Sequence, residues 1–389
     1  RKFSLNPQFL SSLLSKIFNY STEPDLNSMS NSLLINLAVL FDRPTGIATY
    51  AQNLINSLHL QPTLLSAVNF PGFSHYKIAD DMTPAQGSKG HLKRLLWTQF
   101  QLPKIYHQLK ADLIYSPIPE APLYSKSRYI VMCHDLIPLR FPRRTSSLTN
   151  YFRYVVPQVL RQAEHIVCNS QATATDLVDY YGIDANQITT ILLGYDRLNF
   201  YPREQIKNSK NFQAPYFLYL GRPDPYKNLS GLITAFAQIP NQDYHLAIAG
   251  STDPRFTPQL QQQAQELGIA HRVKWLNYLS YQELPGVISN AVALVFPTFW
   301  EGFGLPVLEA MACGTPVITS NLASLPEITA DAAILIDPYN TAEITSAMVD
   351  LTTDLKMRSQ LSKLSLQQAQ KFSWAKTGAE TQEVLQQYL

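Results

Sequence analysis

The chain has 389 residues, of which 46% are hydrophobic and 15% charged, and this composition is typical of a well-packed globular protein and excludes general disorder. The length allows two domains, because single cores stop growing at about 250 to 300 residues. The formal net charge of +2 gives no global field that would favour nucleic acid. Cys133, Cys168 and Cys313 show neither metal-ligand spacing nor a disulfide framework, so we expect a reducing, cytoplasmic location.

Residues 1–31 precede the first predicted strand as an N-terminal extension, and they lack the continuous apolar core and cleavage site of a signal peptide. Six of their apolar residues fall at helical spacing and predict one amphipathic face: Phe9, Leu10, Leu13, Leu14, Ile17 and Phe18. Two interpretations stay open, since this face could pack on the protein itself or contact a membrane. The longest apolar runs are shorter than the roughly 18 residues of a membrane span, so we expect no transmembrane helix.

Residues 32–200 alternate short apolar runs with helical patterns, which is the signature of parallel βαβ units. The predicted strands are Leu33–Phe41, Asp112–Tyr115, Tyr129–Cys133, His165–Cys168 and Thr189–Leu193. The predicted helices include Ile47–Leu58 and Ala172–Tyr181, the latter with Ser170 as its N-cap. The polar, turn-rich stretch Gly72–Gly90 is predicted to be a mobile loop.

A polar segment with two prolines, Arg197–Pro215, predicts a linker that we place at residues 201–213. A second βαβ series follows at residues 214–371. Its predicted strands are Tyr216–Leu220, Tyr244–Ala249, Val273–Leu276, Ala293–Phe296, Pro316–Thr319 and Ala333–Ile336. Its predicted helices are Asn228–Ile239, Pro258–Leu267, Tyr281–Asn290 and Thr341–Leu351, and a helical tail covers Asp354–Leu389. The chain is therefore predicted to be α/β, with two doubly wound domains of similar size.

Ligands of open parallel sheets bind outside the carboxyl ends of the strands, so the residues after each strand are the first candidates for a site. In the first domain, Thr45 and Gly46 occupy a turn between strand and helix, where a ligand can approach the backbone. A plain βα turn explains them equally well. His134 and Asp135 leave the strand "RYIVM" and could orient a substrate or transfer a proton, whereas the alternative is a purely structural histidine.

The second domain places two cations after its first strand, in "YLGRPDPYKN". Gly221 and Arg222 follow the strand, and Lys227 stands at the start of the next helix. A guanidinium and an ammonium beside a helix N-terminus form an anion trap that suits a diphosphate without a metal ion. Ordinary surface charge is the alternative explanation.

The stretch "EGFGLPVLE" carries two carboxylates, Glu301 in a loop facing the cleft and Glu309 in the following short helix. The helix dipole would stabilise Glu309 wherever its side chain points. Glu301 lies among large apolar residues, so it would need hydrogen-bond donors if it were buried.

Several stretches, in this order, resemble retaining glycosyltransferases of family 4, and the resemblance extends from about Leu33 to Leu389. The glutamates match the E-x7-E motif of that family. The other matching stretches are "GIATYAQNL", "CHDLIPL", "LLGYD", "GRPDPYKN", "LPEITADAAILIDP" and "FSWAKTGAET". The resemblance implies the GT-B fold, in which two Rossmann-like domains face each other across a cleft and a C-terminal helix, here 372–389, crosses back to the first domain. The "CHDLIPL" stretch is similar to the mannosyltransferase-like branch.

The resemblance also implies roles for single residues. The catalytic set would be His134, Arg222, Lys227 and Glu301, with the two cations neutralising the diphosphate of a nucleotide-sugar donor. Glu301 would bind sugar hydroxyls, Glu309 the ribose, and the backbone of Tyr278 and Leu279 the base. The donor site would further include Gly46, Gly221, Gly302, Phe303, Gly304 and Leu305. The acceptor side would include Thr45 and Asp135.

The reaction implied is transfer of a hexosyl group with retention, from a donor of the UDP-glucose or GDP-mannose type to a sugar or lipid-linked acceptor. No Asp-x-Asp pair is present, so neither a metal ion nor another cofactor is expected. Basic and aromatic residues in Lys89–Phe100 and Leu139–Arg144 suggest peripheral contact with the inner face of a membrane, against the simpler interpretation of a solvated surface. A nucleotide-sugar epimerase and an inactive nucleotide-sugar-binding relative remain the alternatives.

Overall fold

The computed structural model describes residues 32–40, 46–143, 146–203 and 214–389. The predicted amphipathic face of the first 31 residues, the candidate Thr45 and most of the predicted linker lie outside these ranges. Among the described residues, no helix combines the length and the apolar character that crossing a bilayer requires.

Within the described residues, seven parallel strands form the first sheet, in the order β3-β2-β1-β4-β5-β6-β7. The strands are β1 (Leu33–Asn36), β2 (Thr63–Ser66), β3 (Ser74–Lys77), β4 (Leu113–Ser116), β5 (Tyr129–Cys133), β6 (His165–Cys168) and β7 (Ile188–Thr190). The helices of this half are α1 (Gly46–Ser57), α2 (Gly87–Phe100), α3 (Leu102–Gln108), α4 (Ile137–Arg140), α5 (Ser147–Tyr154), α6 (Val156–Gln162) and α7 (Gln171–Tyr181). The strand order reverses direction at β1 and β4, which makes the adjoining crevice a switch point where ligands of such sheets bind.

The second sheet has, in residues 214–389, six parallel strands in the order β10-β9-β8-β11-β12-β13. They are β8 (Tyr216–Leu220), β9 (His245–Ala249), β10 (Val273–Asn277), β11 (Ala293–Phe296), β12 (Val317–Ser320) and β13 (Ile334–Ile336). The helices are α8 (Leu229–Ala237), α9 (Thr257–Glu266), α10 (Leu284–Ser289), α11 (Leu305–Ala312), α12 (Leu325–Thr329), α13 (Thr341–Thr353), α14 (Leu355–Ala369) and α15 (Trp374–Gln386). Every residue of the central strands β8 and β11 is buried, as expected for parallel strands covered on both faces.

The predicted strands and helices of the second half are confirmed to within a few residues, and Ser170 caps α7 by accepting the Thr173 N–H. The prediction of a mobile loop at Gly72–Gly90 is wrong, because this stretch holds β3 and the start of α2. Strand β3 is the edge strand of its sheet and is made of the mostly polar residues Ser-His-Tyr-Lys, so it lacks the apolar signal of a buried strand. Strand β2 was not predicted either.

Helix α15 packs on the first domain, which confirms the expected crossover. The Thr377 hydroxyl donates a hydrogen bond to the Leu192 carbonyl at 2.8 Å, and the Trp374 ring lies 6.4 Å from the Tyr50 ring of α1. The two Rossmann-like halves and this helix together form the GT-B architecture.

Candidate active site

The site is built from loops that follow three strands. Strands β8 and β11 are hydrogen-bonded neighbours, so the loop after Leu220 and the loop after Phe296 lie side by side. The loop after β5 begins with His134 and belongs to the other domain. The carboxyl ends of these parallel strands therefore bring residues that are distant in sequence to one cleft.

Lys227 and Glu301, predicted to share a ligand, form a direct ion pair. The Lys227 Nζ lies 2.6 Å from Glu301 Oε1, and the exposed fractions of the two side chains are only 14% and 12%. The ammonium also lies 5.1 Å from the centroid of the Phe296 ring. Because water is largely excluded, the ammonium is strongly attracted to any anion that reaches it. This arrangement presents one pre-aimed positive charge next to one carboxylate that accepts hydrogen bonds.

Arg222 has a different environment from Lys227. Its side chain is 61% exposed, and its Nε lies 3.2 Å from Asp224 Oδ2, while Asp253 is 4.0 Å away. Gly221 packs against the lysine stem, since a Cβ at this position would lie 3.3 Å from Lys227 Cδ. The two cations therefore flank one turn, with Lys227 inside the cleft and Arg222 nearer to solvent.

The loop between Glu301 and α11 is fixed by a serine from the next strand–helix connection. The Ser324 hydroxyl lies 3.0 Å from the Glu301 carbonyl and 2.7 Å from the Phe303 carbonyl. Gly304 has a φ of +106°, a backbone conformation that residues with a side chain rarely adopt, so glycine is favoured at this position. Leu305 then begins α11. These contacts fix the conformation of the loop that carries Glu301.

Glu309 lies in the second turn of α11 and is half-buried. Burial, together with the nearby Asp196 carboxylate, raises the pKa of Glu309 to about 8. The side chain is therefore largely protonated at neutral pH and can donate as well as accept a hydrogen bond. The helix dipole does not govern this carboxyl group, because its effect is concentrated in the first turn.

His134 is held as a neutral ring. Its Nε2 lies 2.9 Å from the Pro117 carbonyl, which can only accept, so Nε2 carries the proton and Nδ1 keeps a lone pair. Tyr50 packs edge-on against the imidazole with ring centroids 5.0 Å apart. Burial lowers the pKa of His134 to about 4, so the ring is uncharged at neutral pH.

Asp135 points its carboxylate back to its own loop. Its Oδ1 accepts the Ile137 N–H at 2.9 Å. Burial, followed by the negative charge of Glu301, raises the pKa of Asp135 to about 6. Asp135 and Glu301, which belong to different domains, thus lie close enough for their charges to interact.

Gly302 brings the domains into contact at the site. A Cβ on Gly302 would lie 2.1 Å from the His134 carbonyl oxygen and 2.9 Å from Asp135 Cβ. Real Cβ atoms do not approach so closely, so glycine is required here while the domains keep this arrangement. The loop that carries Glu301 thus touches the strand end that carries His134.

The remaining predicted residues follow two other strands, β1 and β10. Gly46 is the exposed first residue of α1, and a Cβ there would meet nothing within 4 Å. Tyr278, which is 61% exposed, and Leu279 follow β10, two strands away from β8. Strand spacing puts them roughly 10 Å from the end of β8. An extended ligand is needed to reach from Lys227 to Tyr278.

Several contacts of charged residues between the domains are not predicted from the sequence. The Arg140 guanidinium lies 3.3 Å from the centroid of a Trp300 ring, and Arg143 Nη2 lies 3.3 Å from Asp224 Oδ1. Both Glu327 carboxylate oxygens accept the N–H of Gln171 at 3.1 Å. The sequence suggests these arginines only as part of a possible membrane contact, because their partners are too distant along the chain to be identified from spacing.

Both halves of the chain match family models of glycosyltransferases. Residues 202–368 match the family model "Glycosyl transferases group 1", and residues 44–197 match "Glycosyltransferase Family 4". The chain is 30% identical over 266 residues to the O-antigen chain mannosyltransferase B of Escherichia coli, covering 65% of this chain and 69% of that protein. It is 28% identical over 260 residues to the serotype-specific mannosyltransferase WbdA of Escherichia coli, covering 64% of this chain but only 32% of that longer protein.

A solved structure extends the comparison to the fold. Anabaena HepE, described in complex with UDP and glucose, superposes with a TM-score of 0.74 at 19% identity, over 92% of this chain and 100% of its own. The fold and the matched relatives define a glycosyltransferase of GT-B type. The chain belongs to glycosyltransferase family 4, and its mannosyltransferase-like relatives confirm the branch expected from the sequence.

Proposed function

We propose that the protein transfers a hexosyl group, with retention, from a nucleotide-diphosphate sugar to a hydroxyl group of a saccharide or lipid-linked saccharide. The observation that carries this proposal is the Lys227–Glu301 pair, which offers a cation and a hydrogen-bond acceptor 2.6 Å apart at one cleft. The names of the mannosyltransferase relatives favour mannose, and hence a donor of the GDP-mannose type. The description of HepE with UDP and glucose makes UDP-glucose the alternative.

Lys227 would stabilise the departing diphosphate. Phosphate oxygens entering the cleft compete with Glu301 for the ammonium, and the attraction grows as the bond to the sugar breaks and charge moves onto the phosphate. Removing a single pre-aimed donor of this kind typically costs about 10²–10³ in kcat. Arg222, nearer to solvent, would add a second positive charge on the same diphosphate.

Glu301 and Glu309 would position the two ends of the donor. Once Lys227 turns to the phosphate, the Glu301 carboxylate is free to accept hydrogen bonds from sugar hydroxyls. Glu309, largely protonated, would bind ribose hydroxyls as donor or acceptor. The exposed Tyr278 and its neighbour Leu279 would meet the base, at a distance that a nucleoside diphosphate can span.

His134 would act as an acceptor of a hydrogen bond, not as an acid. The Nε2 proton is used by Pro117, and the low pKa keeps the ring neutral, so Nδ1 is the nitrogen that a substrate hydroxyl can reach. The phosphate of the donor, and not His134, would therefore accept the proton of the attacking hydroxyl group. The acceptor oxygen attacks the anomeric carbon as the bond to the diphosphate breaks, and the departing phosphate oxygen takes the acceptor proton. A covalent glycosyl-enzyme detected by mass spectrometry would contradict this step.

We further propose that the reaction needs no divalent metal, because Lys227 and Arg222 supply positive charge on both sides of the diphosphate position. The test is transfer measured after exhaustive treatment with EDTA, compared with the same reaction after added Mg²⁺ or Mn²⁺. Unchanged rates support the proposal, whereas loss with EDTA and recovery with either ion contradict it.

Donor identity can be tested by thermal unfolding with GDP-mannose, UDP-glucose and the free nucleotides. A ligand at 100 times its Kd adds about 2.7 kcal/mol to the free energy of unfolding. The shift should be lost in Lys227→Ala and kept in Lys363→Ala, a control at an exposed position of α14. Equal shifts in the parent and in Lys227→Ala would show that the donor binds elsewhere.

Helix α2 is the surface we propose for peripheral contact with a membrane that carries the acceptor. Leu92 and Phe100 are 59% and 55% exposed, and Lys89 and Lys93 lie on the same exposed part of the helix. Arg94 does not take part, because it is buried in an ion pair with Glu120. Co-sedimentation with anionic vesicles should fall in Lys89→Glu/Lys93→Glu, and equal binding of parent and variant would contradict this role.

A further inference from the structure

Asp224 is a carboxylate shared by two arginines from different domains. Its Oδ1 lies 3.3 Å from Arg143 Nη2 of the first domain, and its Oδ2 lies 3.2 Å from Arg222 Nε of the second. The Asp224 side chain is 10% exposed, against 45% for Arg143 and 61% for Arg222. The carboxylate is thus the fixed member of the group, and the arginines reach it from either side.

The second carboxylate near Arg222, that of Asp253, also forms an ion pair with another arginine. Arg255 binds Asp253 through two hydrogen bonds, of 2.9 Å from Nε and 2.6 Å from Nη2, whereas Arg222 stays 4.0 Å away. This bidentate contact is the main reason why the pKa of Asp253 is held low. Each acid that could hold Arg222 therefore has a competing guanidinium.

Arg143 is placed against the donor-binding turn by aromatic contacts. Phe141 packs on Tyr226, next to Lys227, with ring centroids 5.5 Å apart, and the Arg143 guanidinium lies 5.4 Å from the centroid of the Phe256 ring. The segment that follows α4 in the first domain thus lies directly on the turn that carries Arg222 and Lys227.

We propose that Arg143 is a positioning residue for the donor diphosphate: by neutralising Asp224 from across the cleft, it leaves the Arg222 guanidinium available to a phosphate. A carboxylate with one guanidinium attracts that guanidinium more strongly than a carboxylate shared between two. Loss of Arg143 therefore strengthens the hold of Asp224 on Arg222 and weakens binding of a diphosphate. The proposal rests on the donor site proposed above.

The test compares nucleoside diphosphate with monophosphate, using GDP and GMP, then UDP and UMP, in titration calorimetry at one salt concentration. In Arg143→Gln, we expect the affinity for the diphosphate to fall about fivefold and the affinity for the monophosphate to change less than about twofold. In the double variant Arg143→Gln/Asp224→Asn, the diphosphate affinity should return to within about twofold of the parent. A purely structural role of Arg143 would not be rescued by removing the charge of Asp224.

Two further variants distinguish an error in the proposed donor site from an error in the role assigned to Arg143. Arg128→Gln removes a comparably exposed first-domain arginine, 42% exposed and paired with Glu164, and should leave both affinities unchanged. Arg222→Gln should lose diphosphate affinity. If Arg222→Gln binds like the parent, the donor site itself is wrong. If Arg222→Gln is weakened while Arg143→Gln is not, or if the loss in Arg143→Gln persists in the double variant, the role assigned to Arg143 is overturned.

Discussion

Replacement of Gly302 by alanine tests the contact between the two domains at the active site. The new Cβ would lie 2.1 Å from the His134 carbonyl oxygen, and contacts under 3.0 Å essentially never occur for real Cβ atoms. The obstacle is backbone, so it cannot rotate away as a side chain would. Either the loop that carries Glu301 or the first-domain strand end must move by about 1 Å, and overpacking of this kind typically costs about 1–3 kcal/mol of stability.

The larger effect should be on catalysis. Displacement of a positioned group by about 1 Å can lower the rate roughly 100-fold, so we expect kcat/KM of Gly302→Ala to fall by about that factor. Gly286→Ala is the matched control, because a Cβ there, in α10, meets nothing within 4 Å. The assay is initial-rate transfer together with urea unfolding for both variants. Gly302→Ala with activity and stability equal to those of Gly286→Ala would refute the contact.

The remaining predictions concern the charged groups of the cleft. Lys227→Ala should lower kcat by about 10²–10³ with folding retained by circular dichroism, and a loss below tenfold would remove Lys227 from leaving-group stabilisation. Glu301→Ala should weaken binding of the sugar nucleotide but not of the free nucleotide, whereas Glu309→Ala should weaken both; identical nucleotide affinities in the two variants would contradict this division. Burial raises the folded-state pKa of Glu309 to about 8 from 4.5, so its protonated form stabilises the fold at low pH and that stability is lost as pH rises through 8. Glu309→Gln should therefore show a smaller decrease in unfolding free energy between pH 5 and about 8.5 than the parent, and parallel curves would show that this carboxyl group is ionised.

Apolar runs in the sequence predict most of the buried strands, but the buried strand β2 and the polar edge strand β3 are missed. Strands β5, β6, β8 and β11 have the predicted bounds, because each is a short apolar run that is fully buried. Strand β3 is paired on one side only and is partly exposed, so its backbone hydrogen bonds define it and its composition does not.

The sequence suggests candidate site residues but not the residues that they contact. Position after a strand identified His134, Arg222 and Lys227 as candidates, since parallel sheets place ligands at strand ends. The contact of Arg143 with Asp224 joins positions 81 residues apart, and that of Gln171 with Glu327 joins positions 156 apart. Such contacts depend on how one domain lies against the other, and no local pattern in either segment encodes that.

The central claim is retaining transfer from a nucleotide sugar bound at Lys227 and Glu301. Its most direct test is the anomeric configuration of the product, read by proton NMR after incubation with GDP-mannose or UDP-glucose and a synthetic α-mannoside that carries a lipid tail. We expect nucleoside diphosphate release and a new glycosidic bond with the α configuration of the donor. A β-linked product, or consumption of the donor without a new glycosidic bond, would contradict the account.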